Sequence, residues 1–307
     1  MRSKIYFFIY MLFCNACTNQ INVLEKNEHS ENSNPFPIEP ILILSSLNYQ
    51  DVTMGETISL NIETNNDDEI ESIHVLIVES GKPYDNETDV YYPSDDYFTG
   101  YNSYIMPAFK AGEWDYVAYA ITKSNKKIYS NRVSIRVIYP DITFIQEDRE
   151  SPFMSEMDAA WDEMLASSNA KDHCRREMGF IIYMTVSDII GEDVIFYAGD
   201  LVYGRTNCSC SLPPNVTVTI DDEIIMGPDL PGRYAIAWFH THPVNDCCGG
   251  GRNVGASNED EMEAAKKELP GLVYDYVPTF GGIVDGYTDR NAEHVIYVFG
   301  PKRRTFK

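Results

Sequence analysis

The chain reads as two folded domains in series: an all-β sandwich over residues 41–140, then an α+β domain with a mixed sheet over residues 150–307. Three observations lead there. Between 41 and 140, short apolar or alternating runs recur, separated by turn-rich segments. From residue 151 onward, helical and strand periods alternate along the chain. Between these two patterns, residues 141–150 are largely polar and acidic, as a domain boundary should be. The length of 307 residues leaves room for two domains, and a hydrophobic fraction of 44% with 21 tyrosines can fill two cores.

Before the first strand, Arg2 and Lys4 precede an apolar run over residues 5–13. A spanning helix needs about 20 such residues, so residues 1–16 read as a cleaved export signal. Cys14-Asn15-Ala16-Cys17 resembles a bacterial lipobox, with Cys14 where an aliphatic residue is usual. The resemblance implies that Cys17 becomes the lipidated first residue; ordinary secretion is the alternative. Residues 17–40 are rich in Asn, Glu and Ser and carry Pro35, Pro37 and Pro40. Such a composition cannot bury a core and suits a flexible tether. The expected location is the bacterial cell envelope, lipid-anchored, in the periplasm or at the surface. A net charge of −23 argues against a nucleic-acid partner and against charge-driven adhesion to anionic lipid. Membrane contact is therefore expected only through the lipid anchor.

In the first domain, strands are expected near residues 41–45, 57–63, 72–78, 114–122 and 132–138. Gly112-Glu-Trp-Asp-Tyr-Val-Ala-Tyr119 resembles the penultimate strand of immunoglobulin-like modules in bacterial surface proteins, which implies an immunoglobulin-like sandwich. No cysteine falls in this stretch, so packing alone would hold it. His74 lies on an apolar strand and reads as structural. A spacer role, or recognition of carbohydrate or protein, is open to this domain.

The second domain opens with Ser151-Pro152, an N-cap followed by proline in the first turn. Met157, Ala160, Trp161, Met164 and Leu165 then form one apolar helical stripe. Strands are expected over 179–186, 194–201, 215–220, 234–239 and 294–299. A helix over 257–269 lies between the last two, with Met262, Ala265 and Leu269 on its apolar face.

The chemistry concentrates at His240-Thr241-His242-Pro243 and Ser257-Asn258-Glu259-Asp260. On a strand, His240 and His242 point to one side and Thr241 to the other. Two imidazoles at a strand end are two legs of a tetrahedral zinc site, and Asp260 can supply the third. Taken alone, Ser-x-x-Asp is also a capping box with Asp in place of Glu. Upstream, Arg176-Glu177-Met178-Gly179 leads into an apolar run, and Glu177 is either a functional carboxylate or the solvated first residue of that strand.

Glu177, His240-x-His242-Pro and Ser257-x-x-Asp260, in this order, resemble the JAMM (or MPN) metalloprotease motif, over about residues 151–307. The resemblance implies Zn2+ on His240, His242 and Asp260, a bound water made acidic near neutral pH, Glu177 as general base and Ser257 as hydrogen-bond donor to the oxyanion. It implies hydrolysis of amide or isopeptide bonds, a metallopeptidase activity. For an exported lipoprotein the expected substrates are peptides or proteins outside the cell, cell-wall peptide included. The connection from His242 to Ser257 is about twice the family's usual length and contains Cys247-Cys248 and three glycines; loop closure tolerates such an insertion. Variable loops of this kind also resemble the related domain of Rhs-type polymorphic toxins. A toxin-like effector and a non-catalytic surface binder with a structural zinc pocket are the alternatives.

With Cys17 acylated, Cys174, Cys208, Cys210, Cys247 and Cys248 remain, an odd number. Cys174 is expected to be an inert thiol. Cys208 and Cys210 are expected to pair with Cys247 and Cys248 as disulfides across two loops; a second, structural zinc site on those four is the alternative.

Overall fold

The computed structural model describes residues 40–47, 51–83, 90–91, 98–100, 102–147, 153–167, 174–187, 194–208, 216, 232–243, 252–277, 283–284 and 293–305. The export signal, Cys17, the tether, Ser151-Pro152, Cys210, Cys247 and Cys248 lie outside them, as does the expected strand 215–220 except for Val216. Residues 40–307 form one compact unit, rich in β-structure.

The first half contains β1 (Leu42–Ser46), β2 (Asp51–Thr53), β3 (Thr57–Thr64), β4 (Ile70–Glu79), β5 (Val90–Tyr91), β6 (Phe98–Gly100), β7 (Ser103–Pro107), β8 (Gly112–Thr122) and β9 (Lys127–Ile138). Four of them pair in the order β1-β3-β7-β6 and five in the order β2-β9-β8-β4-β5. All pairings are antiparallel except β2 with β9. The alternation of β3 makes the packing explicit: Ile58, Leu60 and Ile62 are fully buried while their neighbours are not. They meet Trp114, Tyr116, Ala118 and Ala120 of β8, and Ile135 and Val137 of β9, in one apolar cluster. This is a two-layer β-sandwich.

Residues 141–147 carry more than a polar connection. Ile142 and Ile145 are fully buried, Ile145 within the short helix α1 (Phe144–Glu147). The backbone N–H of Ile142 donates to Lys302 O at 3.1 Å. Phe144 packs on Phe196, and Tyr139 on Tyr234. The same apolar cluster continues from the sandwich into the second half.

That second half contains α2 (Met154–Ser167), β10 (Met178–Thr185), β11 (Ile195–Ala198), β12 (Val202–Tyr203), β13 (Arg233–Thr241), β14 (Arg252–Asn253), α3 (Asn258–Lys267), β15 (Gly271–Tyr276), β16 (Ile283–Val284) and β17 (His294–Phe299). The main sheet runs β11-β10-β13-β15-β17, with β12 also on β10. It is mixed, since β13 and β15 are parallel and the other pairs antiparallel. Met157, Ala160, Trp161 and Met164 of α2 are buried, as the apolar stripe predicts, and join Phe180, Ile182 and Phe239 on one face of the sheet. On the other face, Ile181, Trp238, Val273 and Phe299 form a smaller cluster with Ala264 of α3.

Two expectations about this half need correction. Met262 and Ala265 do not face the core: Met262 is 72% exposed, and Ala264 is the buried residue of α3. The helix ends at Lys267, with Glu268 in a left-handed conformation, so Leu269 is buried beyond it rather than on its face. In addition, β15 follows α3 directly, where no strand was expected.

Candidate metal centre

Strand β13 brings an apolar run up to two histidines. It pairs antiparallel with β10, Gly179 opposite His240, and parallel with β15, where Val273 neighbours His240. A bulge at Ile236 shifts the register between Ile182 and Tyr183, and beyond it the alternation places His240 and His242 on the α3 face. Thr241 points the other way, fully buried, and its Oγ1 accepts from Met178 N at 3.1 Å. That bond ties the histidine end of β13 to the residue after Glu177.

Gly179 makes the approach of β10 to β13 possible. A Cβ there would lie 2.6 Å from Phe239 O and 3.3 Å from His240 Cβ. Only glycine fits without displacing the histidine strand.

Helix α3 delivers the third group. Ser257 caps it: its Oγ accepts from Asp260 N at 3.1 Å, while Asp260 Oδ2 accepts from Ser257 N at 2.7 Å. The capping box is therefore formed, and the same carboxylate also faces the histidines. Its Oδ1 is 3.4 Å from His240 Nε2 and its Oδ2 is 3.3 Å from His242 Nε2, and the two Nε2 atoms are 3.2 Å apart. Those separations exceed the roughly 2.7–2.9 Å of charge-assisted hydrogen bonds. They lie close to the roughly 3.3–3.4 Å edge of a tetrahedron with bonds of about 2.0–2.1 Å, with each histidine facing a different oxygen of the carboxylate. The capping residue and the potential ligand are the same Asp260.

The protonation pattern agrees with a cation site. Burial is the largest influence on His240, 1% exposed, and pushes its pKa below the ordinary value, which keeps an imidazole lone pair available. Burial alone would raise the Asp260 carboxyl, but the His240 and His242 rings facing it outweigh burial and hold the group well below the usual carboxylate range. His242 Nδ1 lies 3.0 Å from Asp275 Oδ2. Donation to that carboxylate puts the proton on Nδ1 and leaves Nε2 free to bind a metal. Asp275 is fully buried and accepts also from Gly255 N at 2.8 Å and Tyr276 N at 2.8 Å. Gly255 has φ of 91°, a conformation that favours glycine.

Trp238 stacks on His240, centroids 4.7 Å apart and planes within 10°, and fixes the ring from the strand side. The site is closed behind His240 and opens at His242 and Asp260, whose side chains are 12% and 16% exposed. Two imidazoles and one carboxylate form a donor set that could hold a metal ion. His240, His242 and Asp260 form the group of potential ligands found among the described residues.

Glu177 lies immediately before β10, two residues from Gly179, so by the pairing register it shares the face of His240 and His242. Its Oε2 accepts from Val216 N at 3.0 Å. Asp275 is the functional neighbour that sequence reasoning missed, because its strand was missed; an Asp inside a buried apolar run was the available signal.

Cys208 requires another correction. It is bonded to Cys174, not to Cys247 or Cys248, and Cys174 is not a free thiol. Arg175 and Asn207 form an antiparallel bridge that brings the two cysteines together. A zinc site using all four of Cys208, Cys210, Cys247 and Cys248 is excluded with it.

No family model and no curated protein matches the chain. Among solved structures, the fibronectin(III)-like modules of Clostridium thermocellum CbhA are similar to it at 10% identity, covering 31% of this chain and 94% of that one, with a TM-score of 0.22.

Proposed function

We propose that the protein is a zinc-dependent hydrolase of amide or isopeptide bonds, carried on an exported bacterial lipoprotein. The observation that supports it most is the meeting of His240, His242 and Asp260 as a group that could hold a metal ion, on a face that also carries Glu177. These three residues would hold the ion, which when bound would make water more acidic and polarise a carbonyl. Glu177 has the chemistry to take the proton of the attacking water and return it to the leaving amine nitrogen. The Ser257 hydroxyl accepts from Asp260 N and so keeps its own proton for the oxyanion of the scissile carbonyl. Asp275 orients His242. The expected export signal favours peptides or proteins outside the cell, including cell-wall peptide, as substrates.

The burial of His240 favours a second reading, in which the metal only stabilises a binding protein. One set of measurements separates the two. Purified protein should hold one equivalent of zinc and cleave small amide or isopeptide substrates in a chelator-sensitive manner. His240→Ala, His242→Ala and Asp260→Ala should lose zinc, and Glu177→Gln should keep zinc and lose turnover. Metal loss in Glu177→Gln as complete as in His242→Ala would make Glu177 a ligand and overturn its role. Zinc that raises the melting temperature without any turnover would favour the binder.

A further inference from the structure

We propose that the Cys174–Cys208 disulfide positions Glu177, so that losing this bond slows turnover while the metal stays bound; the proposal rests on Glu177 being the proton carrier. The segment 174–179 runs antiparallel to 202–208. At one end, Met178 and Gly179 pair with Tyr203 and Val202. Next, Gly204 N donates to Glu177 O at 2.9 Å, and Arg176 Nε donates to Gly204 O at 2.8 Å. Arg175 and Asn207 then exchange two backbone hydrogen bonds of 2.8 Å. The disulfide closes the far end.

Glu177 therefore sits between a strand pairing on one side and a covalent bond three residues away on the other. It lies just outside β10, where the Gly204 hydrogen bond to its carbonyl is the last backbone contact before the Arg175–Asn207 bridge. Its carboxylate is held by Val216 N, a short way down the chain from Cys208. The disulfide thus anchors the segment that carries the Glu177 backbone. The candidate metal ligands come from β13, from His242 just after it, and from α3, none of which contains a cysteine of this disulfide. A shift near 1 Å in a reacting group costs on the order of 100-fold in rate, so loosening this segment should register in kcat.

The experiment uses the full chain, zinc-loaded, as oxidised wild type, wild type treated with a phosphine reductant and repurified with zinc, and Cys174→Ser/Cys208→Ser. The expected result is a fall in kcat of about 10- to 100-fold, with KM, zinc content and the visible spectrum of the cobalt-substituted protein unchanged. Reoxidation of the reduced wild type should restore kcat. In a Glu177→Gln background, the residual rate should not respond to reduction. Hydrogen exchange supplies a readout independent of activity: the Val216 amide should exchange faster once the bond is lost. An unchanged kcat, loss of zinc on reduction, or an equal fall in the Glu177→Gln background would overturn the proposal. If the oxidised protein turns over no amide substrate, the hydrolase reading fails, and Val216 exchange then decides positioning alone: faster exchange supports it, unchanged exchange refutes it. Should the double variant fail to fold, the reduced wild type carries the same measurements.

Discussion

Replacing Asp275 with asparagine isolates what the buried carboxylate does for His242. The side chain is fully buried, and its two oxygens accept three hydrogen bonds: from His242 Nδ1 and Gly255 N on Oδ2, and from Tyr276 N on Oδ1. Asparagine has the same shape but only one acceptor oxygen. If that oxygen keeps the Oδ2 position, the new NH2 faces the Tyr276 N–H, donor against donor. If it takes the Oδ1 position, two donors are stranded instead. The first arrangement is cheaper and sets one buried donor against another, at a cost of about 1–3 kcal/mol in folding. His242 keeps an acceptor but loses the negative charge that makes Nε2 more basic. Outer partners of this kind are worth roughly 10- to 100-fold in metal affinity, or about 1.4–2.7 kcal/mol. Competition against a chromophoric zinc chelator at neutral pH measures the affinity, and thermal unfolding of metal-free protein measures the folding term separately. A zinc Kd within twofold of wild type would refute the claim that Asp275 prepares His242. Affinity as poor as that of His242→Ala would instead make Asp275 a ligand.

Gly179→Ala should disturb the same site from the strand side, because its Cβ would meet Phe239 O at 2.6 Å and press on His240 Cβ. We expect a loss of about 1–3 kcal/mol in stability together with weaker zinc binding, read by unfolding and chelator competition; wild-type values for both would refute the close-approach argument. In the sandwich, Asp115 is 3% exposed and accepts from Ser134, Gly81, Arg132 and Ser80. Burial raises its pKa, but those hydrogen bonds outweigh it and hold the folded-state value below the ordinary one. A depressed folded pKa means that the stabilisation is present above about pH 4 and is lost as pH falls through the folded value. Asp115→Asn should therefore unfold at lower temperature near neutral pH, and its stability should fall less steeply in acid than that of wild type. Parallel pH profiles of the two proteins would contradict this.

The parts of the site that were legible in the sequence are those whose geometry is local. His240 and His242 share a face because a strand alternates, and Ser257 and Asp260 meet because a helix begins between them. Asp275 was not legible for two reasons. All six residues of β15 are buried, so the strand shows no alternation, and a short apolar run after a helix cannot be assigned by periodicity. Its contact with His242 also joins positions 33 residues apart. The disulfide was hidden in a similar way, since spacing does not fix connectivity and the Arg175–Asn207 bridge that brings the cysteines together carries no pattern of its own. In the sandwich, β3 was legible from its alternation, whereas β2 and β7 are too short and too close to turns to stand out.

The misread face of α3 shows how the site can override periodicity. Met262 and Ala265 are the apolar residues a stripe would bury, yet both are exposed. The face turned to the sheet is instead Asp260 and Ala264, one turn apart, with Lys267 reaching over the Trp238 ring at 5.3 Å. A Cβ at Gly300, after β17, would lie 2.6 Å from Ala264 Cβ, so small residues at both positions let the helix lie close to the sheet. That closeness carries the Asp260 carboxylate to 3.4 Å from His240. A larger residue at 264 would add apolar burial and lift the helix away. The polar contact sets the orientation of α3, and the exposed Met262 is its consequence.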